Sequence, residues 1–199
     1  MATALGNLLV REGRFPAERL EEAFQRQILY GGQIDTNFLE MGLIDESILL
    51  QYMARRFEMP AAGRAEIDDV KPKLLRLFPR RLAERYHVVP LWVDRRHLHV
   101  AVSRPLETDV ADDIGFMLSL YLVPHITTEL RIQFALEQLY SIPMEARFTN
   151  LLAQLGEELG PEEHTEAVSS WVVDEPARSV ERETQTAEPA QEETSRDDA

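Results

Sequence analysis

The residues with the most chemical potential in this chain are few, and their spacing argues for restraint. His97 and His99 lie two apart in an alternating stretch, so both imidazoles fall on one face of a strand, a spacing compatible with a metal ion. No third ligand follows at a sensible distance, so they are read as sheet-face histidines and no metal is assigned. Asp109, Asp112 and Asp113 cluster in the opening turns of an expected helix, where carboxylates suit the helix dipole better than a cation site. The only lysines are Lys71 and Lys73, and no Gly precedes a Lys anywhere. A phosphate-cradling G-x-x-x-x-G-K-[ST] loop is therefore absent from this sequence. With no Cys and no nucleophile–base pair at readable spacing, no catalytic residue is assigned and no enzymatic activity is expected.

Charge narrows the partners. The chain of 199 residues has a formal net charge of −14 and a pI near 4.8, a poor balance for displacing counterions from nucleic acid. One basic island interrupts it: residues 71–104 carry nine Lys or Arg against two acidic side chains. That island is read first as a solvated helix face, and alternatively as a docking surface for an anionic partner. The longest nearly apolar run, Phe116 to Val123, is too short to span a bilayer. No signal peptide is legible, and a cytoplasmic protein is the expectation.

The elements that must position any site begin with a repeat. Leu5-Gly6-Asn7-Leu8-Leu9-Val10-Arg11-Glu12-Gly13 precedes Leu20, Ala23 and Phe24, and Ile34-Asp35-Thr36-Asn37-Phe38-Leu39-Glu40-Met41-Gly42 precedes Ile48, Leu49 and Met53. Gly13 to Gly42 and Leu20 to Leu49 are in the same register. Each copy predicts a short helix, a left-handed Gly stop and a second helix entered at Pro16 or Asp45, with Asp45 placed to cap it. Leu20, Ala23, Phe24 and Ile28 are expected to form one buried stripe. Beyond the repeat, Pro72 to Tyr86 predicts one amphipathic helix, Val88–Val93 and His97–Val102 a hairpin, Thr108–Leu118 a helix, Leu120–Ile126 a strand and Thr128 onward a capped helix. The order αββαβα implies an α+β subdomain with a small sheet. Domains are placed at 1–60 (duplicated helical hairpin), 61–142 (α+β subdomain), 143–159 (amphipathic helix) and 160–199 (disordered acidic tail). In that tail Trp171, Val172 and Val173 form an isolated apolar cluster. Phe148, Leu151, Leu152 and Leu155 share one helical stripe, which must dock, and docking onto the domain itself is favoured over a partner groove.

The repeated pattern resembles the N-terminal domain of type II secretion and type IV pilus assembly ATPases, the MshE N-terminal domain family. The likeness continues through Phe57-Glu58-Met59-Pro60, Leu82 to Leu91 and Leu98-His99-Val100-Ala101-Val102-Ser103-Arg104-Pro105-Leu106, covering about residues 4–142. The resemblance implies a protein partner in a secretion or pilus apparatus. In the family, an intact repeat binds cyclic di-GMP, with an Arg before Leu-Gly contacting guanine and phosphate. Carried over, the ligand-binding positions are Leu5, Gly6, Leu9, Val10, Gly13, Leu20 and Gln27 in the first copy. In the second they are Ile34, Phe38, Leu39, Gly42 and Leu49. Here Ala4 and Gln33 stand where the Arg would be, Asp35 replaces the second Gly, and Arg56 replaces the second Gln. Only an Arg guanidinium stacks on a base and forks to phosphate. The leading expectation is thus a non-catalytic interaction or regulatory module without a cofactor. A cyclic di-GMP sensor with a degenerate site is the alternative.

Overall fold

The structure is a computed structural model that describes residues 2–157. The expected tail, with Trp171 to Val173, lies outside the described residues. All of the described residues fall in one compact unit.

The duplication is visible in the backbone. Helices α1 (Ala2–Arg11) and α2 (Ala17–Tyr30) form the first copy, α3 (Ile34–Glu40) and α4 (Glu46–Phe57) the second. Gly13 and Gly42 both take left-handed conformations, with φ of 70° and 61°. At each stop the chain closes identically. Gly13 donates to Val10 O and Arg14 to Leu9 O, both at 3.0 Å; Gly42 donates to Leu39 O at 2.9 Å and Leu43 to Phe38 O at 3.0 Å. These paired bonds satisfy the last helical carbonyls. Pro16 and Asp45 precede α2 and α4 as expected, but the Asp45 side chain makes no capping bond. The stripe on α2 is shorter than expected: Leu20 and Ala23 are buried, whereas Ile28, Leu29 and Tyr30 are exposed, because the last turn of α2 runs past the helices that cover its start.

The second half is α+β, as expected, with two differences. A short helix α5 (Arg64–Asp68) precedes it, and the helix expected over 72–86 is two, α6 (Pro72–Leu77) and α7 (Arg80–Tyr86). The break falls at Phe78, extended at φ −110° and ψ 94°, because a residue before proline is driven out of the α region. The freed Phe78 carbonyl accepts from the buried Tyr140 hydroxyl at 2.8 Å, and burial raises the Tyr140 pKa. Strands β1 (Val88–Asp94) and β2 (His97–Val102) pair antiparallel with a register shift between Pro90 and Trp92. Strand β3 (Tyr121–Ile126), reached through α8 (Thr108–Leu118), pairs parallel to β2. The order is β1-β2-β3, and residues 60–62 run along the outer edge of β3, with Ala62 donating to Ile126 O at 2.8 Å. Leu98, Val100 and Val102 face the core.

Helix α9 (Glu129–Tyr140) and α10 (Ala146–Gln154) complete the order. Phe148, Leu151 and Leu152 are at most 4% exposed, so α10 docks on its own domain and Leu155, 38% exposed, lies at its margin. Arg147 ties α10 down: it pairs with Glu40 and donates to the Gly31 carbonyl at 3.0 Å, at the C-terminal end of α2, where a cation suits the helix dipole. One core cluster runs from Leu5 to Leu152. Leu152→Ala is expected to lower unfolding free energy by about 2–4 kcal/mol, the range for a buried Leu that leaves a cavity. Urea denaturation of the full chain checks this, and an unchanged midpoint would place α10 outside the core.

Candidate functional site

A cleft of about 300 Å³ opens where the helical repeat meets the α+β portion, lined among others by Gly32, Gln33, His87, Ser103, Arg104 and Gln133. Each wall has a local cause. Gly32 and Gln33 form the turn into α3, with Gly32 at φ 74°. Ser103 and Arg104 leave the end of β2, and His87 is the left-handed residue that closes α7. Gln133 belongs to α9, whose first residue, Glu129, also lines the cleft. Arg104 is the one cation among these side chains and is exposed.

The cleft is already wired internally. The Gln33 amide donates to Ser103 Oγ at 2.7 Å, and the Gln33 backbone N–H donates to Glu129 Oε2 at 2.8 Å. The same Glu129 oxygen accepts from Thr36 Oγ1 at 2.5 Å. In return, the Glu129 backbone N–H donates to Asp35 Oδ2 at 2.8 Å. Helices α3 and α9 thus cap one another: each starts on a carboxylate supplied by the other. Asp35 is 2% exposed. Its burial, with Glu129 adding like charge against the helping backbone bonds, pushes its pKa up to about 7. The same first turn of α9 carries Arg131, which pairs with Glu46 and with Glu157. Despite burial, the hydrogen bonds Arg131 donates to those carboxylates raise its pKa, and Arg131 in turn lowers that of Glu157.

The twelve residues carried over from the family pattern sit elsewhere. Leu5, Gly6, Leu9, Leu20, Ile34, Phe38, Leu39 and Leu49 are buried, Val10 and Gln27 half-buried, and Gly13 and Gly42 exposed at helix stops. None of them lines the cleft. Gly6 serves packing, since a Cβ there would lie 2.3 Å from Leu20 Cδ1. Gln27 closes the α2–α3 turn by donating to the Gly32 carbonyl at 3.0 Å. Of the positions that depart from the pattern, Gln33 reaches the cleft and Asp35 lies in the lock beside it. Ser103, Arg104 and Glu129 were not among the expected residues, because they join Gln33 only through tertiary folding. The one signal for them was the Ser103-Arg104-Pro105-Leu106 segment following β2. Among the described residues, no group of three or more His, Cys, Asp or Glu is arranged to hold a metal.

A small three-stranded sheet flanked by paired helical hairpins, with a cleft at their junction, defines an α+β domain. Residues 57–146 match the family model of the MshEN domain, and the match supports the likeness to the N-terminal domain of type II secretion and type IV pilus ATPases. It is 30% identical over 141 residues to the type IV pilus assembly ATPase PilB of Myxococcus xanthus, covering 71% of this chain and 25% of that protein. It is 27% identical over 138 residues to PilB of Thermus thermophilus, covering 68% of this chain and 15% of that protein. The chain therefore spans a quarter or less of the length of these relatives. Among solved structures, MshE with cyclic di-GMP shares the fold at a TM-score of 0.52 and 22% identity, over 68% of this chain and 98% of that one. No helix among the described residues is long and apolar enough to cross a membrane.

The lock has a pH signature. The folded pKa of Asp35 is above its ordinary value of 3.8, so between about pH 4 and 7 the native state holds a proton that the unfolded chain has released. Stability from this group is present at the acidic end and is lost as pH rises through that window. Asp35→Asn cannot ionise and keeps an acceptor oxygen. Wild type should therefore lose thermal stability relative to Asp35→Asn from pH 4 to 7, with a constant difference above. Paired melts across that range check it; a difference independent of pH would contradict the raised pKa.

Proposed function

We propose that this chain acts as a non-catalytic regulatory and protein-interaction module within type II secretion or type IV pilus machinery, on its cytoplasmic side. The observation that carries the reading is the state of the second repeat. Where the family pattern places a cationic Arg, Gln33 instead spends its amide on Ser103 and its N–H on Glu129. Where the pattern places Gly, Asp35 is buried and bonded to Glu129. A dinucleotide phosphate would meet the Glu129 carboxylate there. Losing one charge-assisted contact to phosphate costs about 1.5–3 kcal/mol, or roughly one to two decades of affinity. The sequence also contains no phosphate-cradling loop for ATP hydrolysis.

A cyclic di-GMP sensor is the second reading, favoured by Arg104 in the cleft and by the fold shared with MshE, whose structure contains that ligand. Isothermal titration of the full chain with cyclic di-GMP separates the two. The interaction-module reading expects no saturable heat at low-micromolar ligand, while binding in that range would establish the sensor instead. Gln33→Arg should improve any residual affinity by about tenfold, as a new cation meets phosphate without a change of fold. The positive arm is co-precipitation of the full chain with purified pilus or secretion ATPase and its membrane platform. Absence of binding to each of these would remove the module reading.

A further inference from the structure

The outward face of the sheet holds a cluster that the cleft does not use. His99 on β2 and His125 on β3 point at one another, with His99 Nδ1 and His125 Nε2 2.9 Å apart. The sequence suggested His97 with His99, but the converging pair is His99 with His125, and His97 packs instead against Tyr121 at 5.8 Å between ring centroids. Trp92, the register partner of His99 on β1, stacks on the His99 ring at 4.5 Å and 16° and meets His125 edge-on at 4.9 Å. The register partner of His125 is Ala101, whose methyl leaves space for the imidazole to lean towards His99.

We propose that His99 and His125 form a two-histidine chelate for a late first-row divalent metal, copper(II) above all, capped on one side by the Trp92 indole. Two observations carry it. Bonds of about 2.0–2.1 Å from each nitrogen to a shared ion, with the present separation, subtend about 90°, the cis angle of tetragonal Cu(II) or Ni(II) rather than the wider tetrahedral angle of Zn(II). His125 is 8% exposed, yet its Nδ1 is buried without a hydrogen-bond partner. A metal on Nε2 holds the ring proton on that Nδ1, where it is free to donate to a protein acceptor. An outer hydrogen bond of this kind is the usual support of a ligating histidine. No further protein donor joins the pair among the described residues, so water fills the remaining positions.

The test titrates copper(II) chloride into the full chain at neutral pH, followed by calorimetry, tryptophan emission and electron paramagnetic resonance. The wild type should take up one equivalent with micromolar affinity, show nitrogen hyperfine structure and lose most of its Trp92 emission. His99→Ala and His125→Ala should each weaken uptake by at least about tenfold, whereas His97→Ala and His87→Ala should leave it unchanged. Trp92→Phe should keep the stoichiometry and lose most of the quench. His99 is only half-buried, so its variant decides the matter if His125→Ala fails to fold by circular dichroism. Uptake unchanged by His99→Ala, a quench unchanged by Trp92→Phe, or no stoichiometric uptake by the wild type would each overturn the site.

Discussion

Two carboxylates, the buried Asp35 and the cleft-lining Glu129, hold this domain in register. Asp35 accepts the first N–H of α9 and Glu129 accepts the N–H that enters α3, so neither helix start is complete without the other. A side-chain cap taken singly contributes about 1 kcal/mol. The larger consequence is the penalty for misassembly: any other packing would strand a carboxylate and a helix-start donor away from water. Burying Asp35 is costly, and that burial pushes its pKa up to about 7. The pair therefore contributes uniqueness of arrangement more than net stability, as is common for buried polar networks.

From α9 the constraint spreads outward. Thr128 donates to Glu46 at 2.6 Å, and Arg131, 5% exposed at its side chain, spans from Glu46 on α4 to Glu157 beyond α10. With α3 locked and α4 paired, the second copy of the repeat is fixed on the α+β portion. Arg147 then links α10 to Glu40 and to the end of α2, bringing the first copy in. Burial pushes the Glu40 carboxyl up, but Arg147 and Arg26 together hold it below its ordinary value. These ion pairs sit at the junctions between elements, while the apolar core fills the space behind them.

The repeat was legible in the sequence because its signals are local. A Gly three residues past the last apolar position and a helix-start residue three further on fixed both hairpins, and the structure repeats them bond for bond. Alternation likewise gave the strands. The break at Pro79 was not read, because Leu74, Leu75, Phe78 and Leu82 keep helical spacing across it. Periodicity reports burial, and Phe78 is fully buried whether or not the helix runs through. The end of α2 failed for the opposite reason: Ile28 keeps the period but is 78% exposed, as Leu29 and Tyr30 beside it are also exposed. The cleft was least legible. Its Gln33 meets Ser103 and Glu129 from far along the chain, a convergence that no spacing rule encodes.

That division bears on what a family pattern can say about ligand. Of the twelve positions carried over from the resemblance, eight are buried, and Gly6 leaves room for the Leu20 side chain where α1 meets α2. Those residues specify the hairpin fold, and any chain that keeps the fold will tend to match them whatever it binds. The information about ligand is confined to the positions free of packing. Here these are Ala4, Gln33 and Arg56, together with Asp35, whose polar group is committed inside the protein. Gln33 is bonded to the sheet end, Asp35 to α9, and Arg56 lies over the Phe57 ring at 5.8 Å. Gln33 and Asp35 thus each complete the fold through a polar partner inside the protein, which ties both positions to the junction of the repeat with the α+β portion.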